Sequence, residues 1–578
     1  MGTIARMMPL PTPRFDRFLR HEEMSTLLRH YAEQFPHLFR LASLGRSHEG
    51  RDIWVVVATH TATGPDTDKP AFWVDGNIHA AELTASTAVL YWLHQLATGY
   101  GNDAAITHLL DTRCVYLAPR LNPDGAELAL ADRPRHIRSS TRPYPFDEPV
   151  IEGLTVQDVD GDGRVLYMRI PDPHGAWKPH PEDPRLMTPR EPGDVGGRYY
   201  RVLPEGLLTH YDGLSIRVNK DREGLDLNRN FPSGWRQEFE QVGAGPYPTS
   251  EPEVRAVVDF ITRHPNIGAG VSFHTHSGVI LRPMGTEPDD KMNQEDLWMF
   301  QRLSALGEKL TGYPAVSIYE DFRYHPHETI SGTQDWMYEQ LGQLFWTVEL
   351  WAPNKEAGIE KYDWIHWYRE HPPEDDLKLL KWSDTQCDGQ AHVDWRPFDH
   401  PQLGPVEIGG WDKMNYWRNP PPHLREREVA RFPKWLQALA LSLPKLELLQ
   451  ARAEPLGEQA WRVTLDVANG GYLGAYVSQR ALARKQVRGV IFEIDLPEGA
   501  ALVSGKLRME GPQLEGHAPR TSLQGFLPTR EATGDRARGE WVVRAPAGTT
   551  LELSARADRA GRVLAQVVLG ATPGSSAR

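Results

Sequence analysis

His79 and Glu82 stand three positions apart in GNIHAAE, directly after the apolar run AFWVDGN and at the mouth of a helical pattern. An imidazole and a carboxylate so spaced can converge on one cation where a strand turns into a helix. Zinc takes nitrogen and oxygen donors of this kind and, in catalytic sites, keeps one position for water. The same spacing arises by chance in long chains, so the pair gains meaning only with a third donor. VSFHTHSGVILRP offers His274 and His276, which on an ideal strand face the same side. One of them completes a ligand set; a hydrogen-bonded histidine pair at a sheet edge is the competing reading. Glu349 closes the apolar run FWTVEL, where a carboxylate is costly to bury without a partner or a task. Asp158, Asp160 and Asp162 alternate in DVDGDG as in the first half of a calcium loop, giving two readings, a Ca2+ site or a solvated acidic turn. Arg169 stands where an EF-hand places its bidentate glutamate, which excludes a true EF-hand.

Regular elements must hold these groups. HEEMSTLLRHYAEQF has helical spacing, RDIWVVVAT and PAFWVDGN are apolar runs of strand length, and ELTASTAVLYWLHQLAT is an amphipathic helix. The alternation predicts an α/β fold, a mixed central β-sheet flanked by helices. Ser250 and Glu253 before VRAVVDFITRH predict a capping box. Between about 128 and 225 the composition turns to Pro, Arg, Asp and Gly, and about 353–420 is rich in Trp, Pro and His; both are expected as insertions with sparse regular structure. Helical RFPKWLQALALSLP ends near Pro444, after which strand-like alternation broken by Gly, Asn and Pro predicts a C-terminal all-β sandwich, with Trp461 and Trp541 as core or interface aromatics rather than a carbohydrate platform. The expected division is a tail over 1–14, a catalytic domain over 15–444 and a β-sandwich over 445–578.

With 578 residues the chain exceeds what one hydrophobic core organises. The 64 Lys+Arg against 77 Asp+Glu give a net charge of -13, which disfavours nucleic acid and anionic lipid as partners. Two cysteines, Cys114 and Cys387, are too few for a disulfide scaffold or a thiolate cluster, so a transition metal must rely on His and carboxylate. No run of about 20 apolar residues predicts a membrane span, and the N-terminus lacks the apolar core of a secretory signal, so a cytoplasmic protein is expected.

The ordered set GNIHAAE, PRLNPDG, MRI, GLDLNRNF, SFHTHSG, SGTQDW and WTVELW, spread over roughly residues 20 to 350, resembles the zinc metallocarboxypeptidases of the carboxypeptidase A/B type. The resemblance implies that His79, Glu82 and His274 bind Zn2+, and that Asp226, otherwise a turn residue, orients a ligating histidine. It implies Glu349 as general base, taking a proton from a zinc-bound water and passing it to the leaving amine. It further implies that Asn228 and Arg229 hold the terminal carboxylate of a substrate and that Arg169 stabilises the oxyanion.

The sequence also departs from the family pattern. The capping tyrosine aligns with His327, with Tyr324 three residues earlier, and Gln334 stands where relatives place the residue that selects the terminal side chain. Thr329 and Thr347 are expected to add polarity to that pocket. Ala81 replaces an arginine found in many relatives, and the gap from Glu82 to His274 is long. The resulting expectation is a zinc-dependent metallocarboxypeptidase, made in active form, that acts on peptides or amino-acid conjugates with a free C-terminal carboxylate. A zinc-dependent deacylase of small amino-acid conjugates and a non-catalytic binding protein on the same fold are the alternatives. No motif specifies the oligomeric state.

Overall fold

The computed structural model describes residues 13–146, 148, 152–323, 331–518 and 532–570. An eight-stranded mixed sheet forms its centre, in the order Phe39–Arg46, Asp52–Ala58, Cys114–Ala118, Ala71–Gly76, Ile267–Thr275, Leu344–Leu350, Val279–Arg282, Ala315–Ser317. The four middle strands from Cys114–Ala118 to Leu344–Leu350 run parallel. Every residue of Ala71–Gly76 and of Ile267–Thr275 is buried, as expected of parallel strands covered on both faces. Helices Leu83–Gly99 and Gln294–Thr311 pack with Phe72, Val74, Val271, Phe273 and Trp346 into one core, while Pro252–Arg263 closes the other face over Trp73, Tyr116 and Phe345.

The helix at 252 begins differently from the expected capping box. Glu251 is its N-cap without a side-chain cap bond, and Pro252 takes the first turn. Glu253 turns away to accept from His48 N at 2.8 Å.

The two Pro-rich stretches are more regular than their composition suggests. Tyr167–Pro171, Trp177–Pro179, Met187–Pro189 and Tyr200–Pro204 from the first join His392–His400 and Gly404–Trp411 from the second in a single six-stranded sheet. Arg169 pairs with Glu407, so the contact that orders both segments spans more than two hundred residues and leaves no local pattern. Its small core comprises Leu154, Leu166, Met168, Leu208, Val406 and Ile408.

After helix Pro433–Ser442, two four-stranded antiparallel sheets follow, beginning with Leu446–Gly457 and ending with Gly561–Val568. Trp461, Val463, Leu465, Trp541 and Val543 of one meet Phe492, Ile494, Leu551 and Leu553 of the other, the inward alternation of a β-sandwich. Trp541→Ala is expected to cost about 3–5 kcal/mol of that unit's stability, read as a lower denaturant midpoint by circular dichroism. Cys114 and Cys387 are both buried and free. Among the described residues, no helix is long and apolar enough to cross a membrane.

Candidate metal centre

The loop between strand Ala71–Gly76 and helix Leu83–Gly99 carries His79 and Glu82. Asn77 takes a left-handed φ of 57°, and its Nδ2 donates to His79 O at 2.7 Å and Ala80 O at 3.2 Å. Ser139 Oγ donates to Ile78 O at 2.7 Å, so the turn is pinned from outside as well. Gly76 lets the helix dock: a Cβ there would lie 2.6 Å from Ala85 O. The long apolar helix that follows is buried along most of its length and cannot shift the loop without exposing core.

His274 reaches the same point from the end of the neighbouring strand. His79 Nδ1 lies 2.9 Å from Glu82 Oε1, and His274 Nδ1 lies 3.1 Å from both His79 Nδ1 and Glu82 Oε2. All three residues are buried, with donor atoms mutually within 4.8 Å. The outer nitrogens are already engaged. His79 Nε2 donates to Asp226 Oδ1 across 3.2 Å, and His274 Nε2 donates to Ser272 Oγ at 3.3 Å. Ser272 in turn donates to Asp75 Oδ1 at 2.5 Å, and Trp73 Nε1 donates to Asp75 Oδ2 at 2.6 Å. With protons on both Nε2 atoms, two Nδ1 lone pairs and a carboxylate face one another in a dry site. That arrangement is repulsive unless a cation sits among them, and the donor set fits zinc with outer-shell support. Burial alone would raise the Glu82 carboxyl; positive charge on the His79 and His274 imidazoles, taking the place of such a cation, outweighs it and holds the carboxyl well below the usual carboxylate range.

His276 goes elsewhere. The strand ends at Thr275, so alternation no longer governs the next side chain. Its ring packs 5.1 Å from Tyr368 and 6.4 Å from Trp417, and its Nδ1 makes no hydrogen bond among the described residues.

A model of the zinc carboxypeptidase family matches residues 24–146 and 208–373, half of the chain. The chain belongs to the zinc carboxypeptidase family. A second model, for a domain of unknown function, matches residues 445–568. Carboxypeptidase A2 of Rattus norvegicus is 25% identical over 343 residues, covering 56% of this chain and 60% of the relative. Carboxypeptidase D of Homo sapiens is 37% identical over 398 residues, covering 63% of this chain and 22% of the relative. The chain thus spans about 60% of the length of the first curated relatives it matches. Among solved structures, thrombin activatable fibrinolysis inhibitor aligns with a TM-score of 0.39 at 19% identity, covering 61% of this chain and 70% of that one. Carboxypeptidase A from Helicoverpa armigera aligns with a TM-score of 0.38 at 18% identity, covering 65% and 75%.

Around the donors, this zinc carboxypeptidase-family chain gathers most of the residues singled out from sequence. Glu349 sits beside His274 in parallel register at the ends of adjoining strands. Burial first, and the Glu82 carboxylate second, push its pKa up. Asp226 also accepts from Asn228 N at 2.9 Å, so it caps the short turn Leu227–Arg229 while holding His79. Thr333 N and Oγ1 both donate to Asn228 Oδ1, at 2.9 and 3.0 Å, which fixes the amide and turns Nδ2 away from Thr333. Arg229 is half-buried next to Asn228, its Nη1 donating to Asn228 O at 3.1 Å. Gln334 is buried: Nε2 donates to Asp335 Oδ2 at 2.8 Å and Oε1 accepts from Thr347 Oγ1 at 3.4 Å. Tyr324, His327 and Thr329 lie outside the described residues.

Two of the expected groups lie elsewhere or gain no support. Arg169 is not brought to the cluster. Its Nε donates to Glu407 at 2.7 Å and its guanidinium lies over the Tyr200 and Trp395 rings, because its strand belongs to the six-stranded sheet. Arg138 brings a guanidinium to the cluster instead: its Nε donates to Asp226 Oδ2 at 2.9 Å and its Nη1 lies 3.7 Å from Glu82 Oε1, with Arg418 Nη1 3.9 Å from the same oxygen. The calcium reading also fails to gain support. Asp160 and Asp162 are both paired with Arg396, and Asp158 accepts from Gly161 N and Gly163 N at 2.6 and 2.9 Å. Glu205, Asp158 and Asp160 converge, but Glu205 is taken up by Val159 N and Leu166 N. The loop is a hydrogen-bonded turn closed by an arginine.

Sequence reasoning missed Arg138, Asp335, Ser272 with Asp75, and Arg418. Asp335 is fully buried beside Gln334, and burial, then Glu339, push its carboxyl up to about 7. It adjoins Gln334 in SGTQDW, which was the available signal. Arg138 had none: RPRHIRSSTRP offers several arginines and no local feature that selects one.

Proposed function

We propose that the chain is a zinc-dependent metallocarboxypeptidase that removes the C-terminal residue of a peptide. The observation that carries this reading is the meeting of three buried donors, with Glu349 in register beside His274 and Asn228 bonded to the Asp226 that holds His79. Zinc, when bound, would be held by His79 Nδ1, Glu82 and His274 Nδ1 and supplies a Lewis acid that acidifies water and polarises a carbonyl. Glu349 takes a proton from the attacking water on a carboxylate oxygen and returns it to the leaving amine nitrogen. Asn228 Nδ2 and the Arg229 guanidinium hold the terminal carboxylate, which restricts cleavage to the chain end. Arg138 donates to the oxyanion that develops on the scissile carbonyl. Gln334, at the position where the family places its selecting residue, is bonded to Asp335 and Thr347, so this polar group does not favour apolar terminal residues. The same reading assigns residues 15–444 to the catalytic domain and 445–578 to an accessory sandwich.

Metal analysis followed by assays on blocked dipeptides with free or amidated C-termini tests the reading. Zinc together with cleavage of the free-carboxylate series alone is the expected result. Zinc without turnover of any peptide would favour a conjugate deacylase, and absence of metal a binding protein. Arg138→Ala is expected to lower kcat by about 10²–10³, whereas Arg169→Ala leaves kcat at the same order, measured on the same dipeptide.

A further inference from the structure

No step of the proposed reaction uses Asp75, a fully buried carboxylate near the end of strand Ala71–Gly76. It lies in parallel register with Ser272 of strand Ile267–Thr275. Both side chains bonded to it are neutral: Ser272 Oγ donates to Oδ1 at 2.5 Å, and Trp73 Nε1 donates to Oδ2 at 2.6 Å. A carboxylate this far from water is costly unless it has a charged partner or a task. Burial raises its carboxyl to about 6, and the bonds from Ser272 and Trp73 keep it from rising further, so it is ionised at neutral pH.

Ser272 shows what the task is, because the two histidines of the donor set are anchored differently. His79 Nε2 meets the Asp226 carboxylate directly at 3.2 Å, and a carboxylate only accepts, so that ring keeps its proton on Nε2. His274 Nε2 instead meets a hydroxyl, Ser272 Oγ, at 3.3 Å. A hydroxyl both donates and accepts, and by itself it selects neither ring tautomer. Asp75 makes the selection. Ser272 has one proton to give, and its 2.5 Å contact with Asp75 has the length of an O–H bond directed at a carboxylate. With that proton committed to Asp75, the Ser272 oxygen turns a lone pair toward His274 Nε2, which must carry the ring proton. Nδ1 is then left bare, 3.1 Å from both His79 Nδ1 and Glu82 Oε2, where the donor set converges.

We propose that Asp75 is a positioning residue of the metal centre: acting through Ser272, it fixes which nitrogen of His274 is free to bind zinc. The inference rests on the zinc-binding reading above. An asparagine side chain has the same shape but a fixed polarity. Trp73 Nε1 only donates, so in Asp75→Asn the amide oxygen must face Trp73 and the amide nitrogen must face Ser272. Ser272 then accepts from that amide and points its own proton at His274 Nε2. The ring proton moves to Nδ1, where the metal is to be held. The test titrates the full chain with zinc against a competing chelator and follows the fold of each variant by circular dichroism. Asp75→Asn is expected to bind zinc about 100-fold more weakly than the wild type, and Ser272→Ala, which removes the relay without reversing it, about tenfold more weakly. The double variant should match Ser272→Ala and so bind zinc about tenfold more tightly than Asp75→Asn alone, because the amide has no hydroxyl left to turn. A packing defect at Asp75 would persist in the double variant. Wild-type affinity in Asp75→Asn, or a double variant no tighter than Asp75→Asn, overturns the proposal. If a variant at Asp75 does not fold, Ser272→Ala decides, and unchanged affinity there overturns the relay. A wild type that binds no zinc overturns the metal reading and this inference together, whereas zinc in the wild type with unchanged variants overturns this inference alone.

Discussion

Glu349→Gln is expected to retain its zinc and lose turnover by about 10²–10⁴, the range a positioned general base supplies. The substitution keeps the side chain's shape and removes only its ability to take a proton. Glu349 is absent from the converging donor set, so metal content should match the wild type. Its place beside His274 in the parallel register puts the carboxylate next to the donor cluster, where burial and Glu82 already favour the protonated form. A bound cation opposes both effects and restores the carboxylate as a base. Zinc measured by emission spectrometry, paired with kcat on a blocked dipeptide, checks the prediction; a variant with wild-type kcat would remove Glu349 from the chemistry.

His274→Ala should abolish stoichiometric zinc binding and turnover together, whereas His276→Ala should keep the metal. The two histidines share one motif and differ by two positions, but only His274 presents Nδ1 to His79 and Glu82. Removing it leaves two donors, too few for the closed side of a catalytic zinc site. Zinc that binds only the folded chain also stabilises it, by about 4 kcal/mol at a thousandfold excess over Kd. Chelation should therefore lower the melting temperature of the wild type and of His276→Ala but leave His274→Ala unmoved. Equal metal loss from the two alanine variants would undo the assignment of His274.

The metal centre was legible because its parts are carried by local patterns. A buried strand ending in GNIHAAE and another ending in SFHTHSG place their histidines at the same end of a parallel sheet, since parallel strands share direction. Glu349 was legible for the same reason, standing at the end of the next parallel strand. Spacing left the choice between His274 and His276 open, and the resemblance alone named His274, because the choice depends on where strand geometry stops, at Thr275.

Residue types and spacing by themselves brought His79 and Glu82 together with one of His274 and His276 as candidate donors and divided α/β from all-β texture, while the resemblance to zinc carboxypeptidases named Glu349 as candidate base and Asn228–Arg229 as candidate carboxylate-binding pair. Only the tertiary structure decided which arginines come to rest near the donor cluster. Arg169 follows its strand into the six-stranded sheet, Arg138 arrives from an irregular stretch, and Arg418, 3.9 Å from Glu82, comes in on the segment after strand Gly404–Trp411, whose Asn419 Nδ2 donates to Ala81 O. An arginine's long side chain tolerates many backbone positions, so its sequence neighbourhood says little about where its charge comes to rest. The pairing of two segments more than two hundred residues apart is a property of the folded chain, because hydrogen bonds between distant strands impose no spacing on either strand alone.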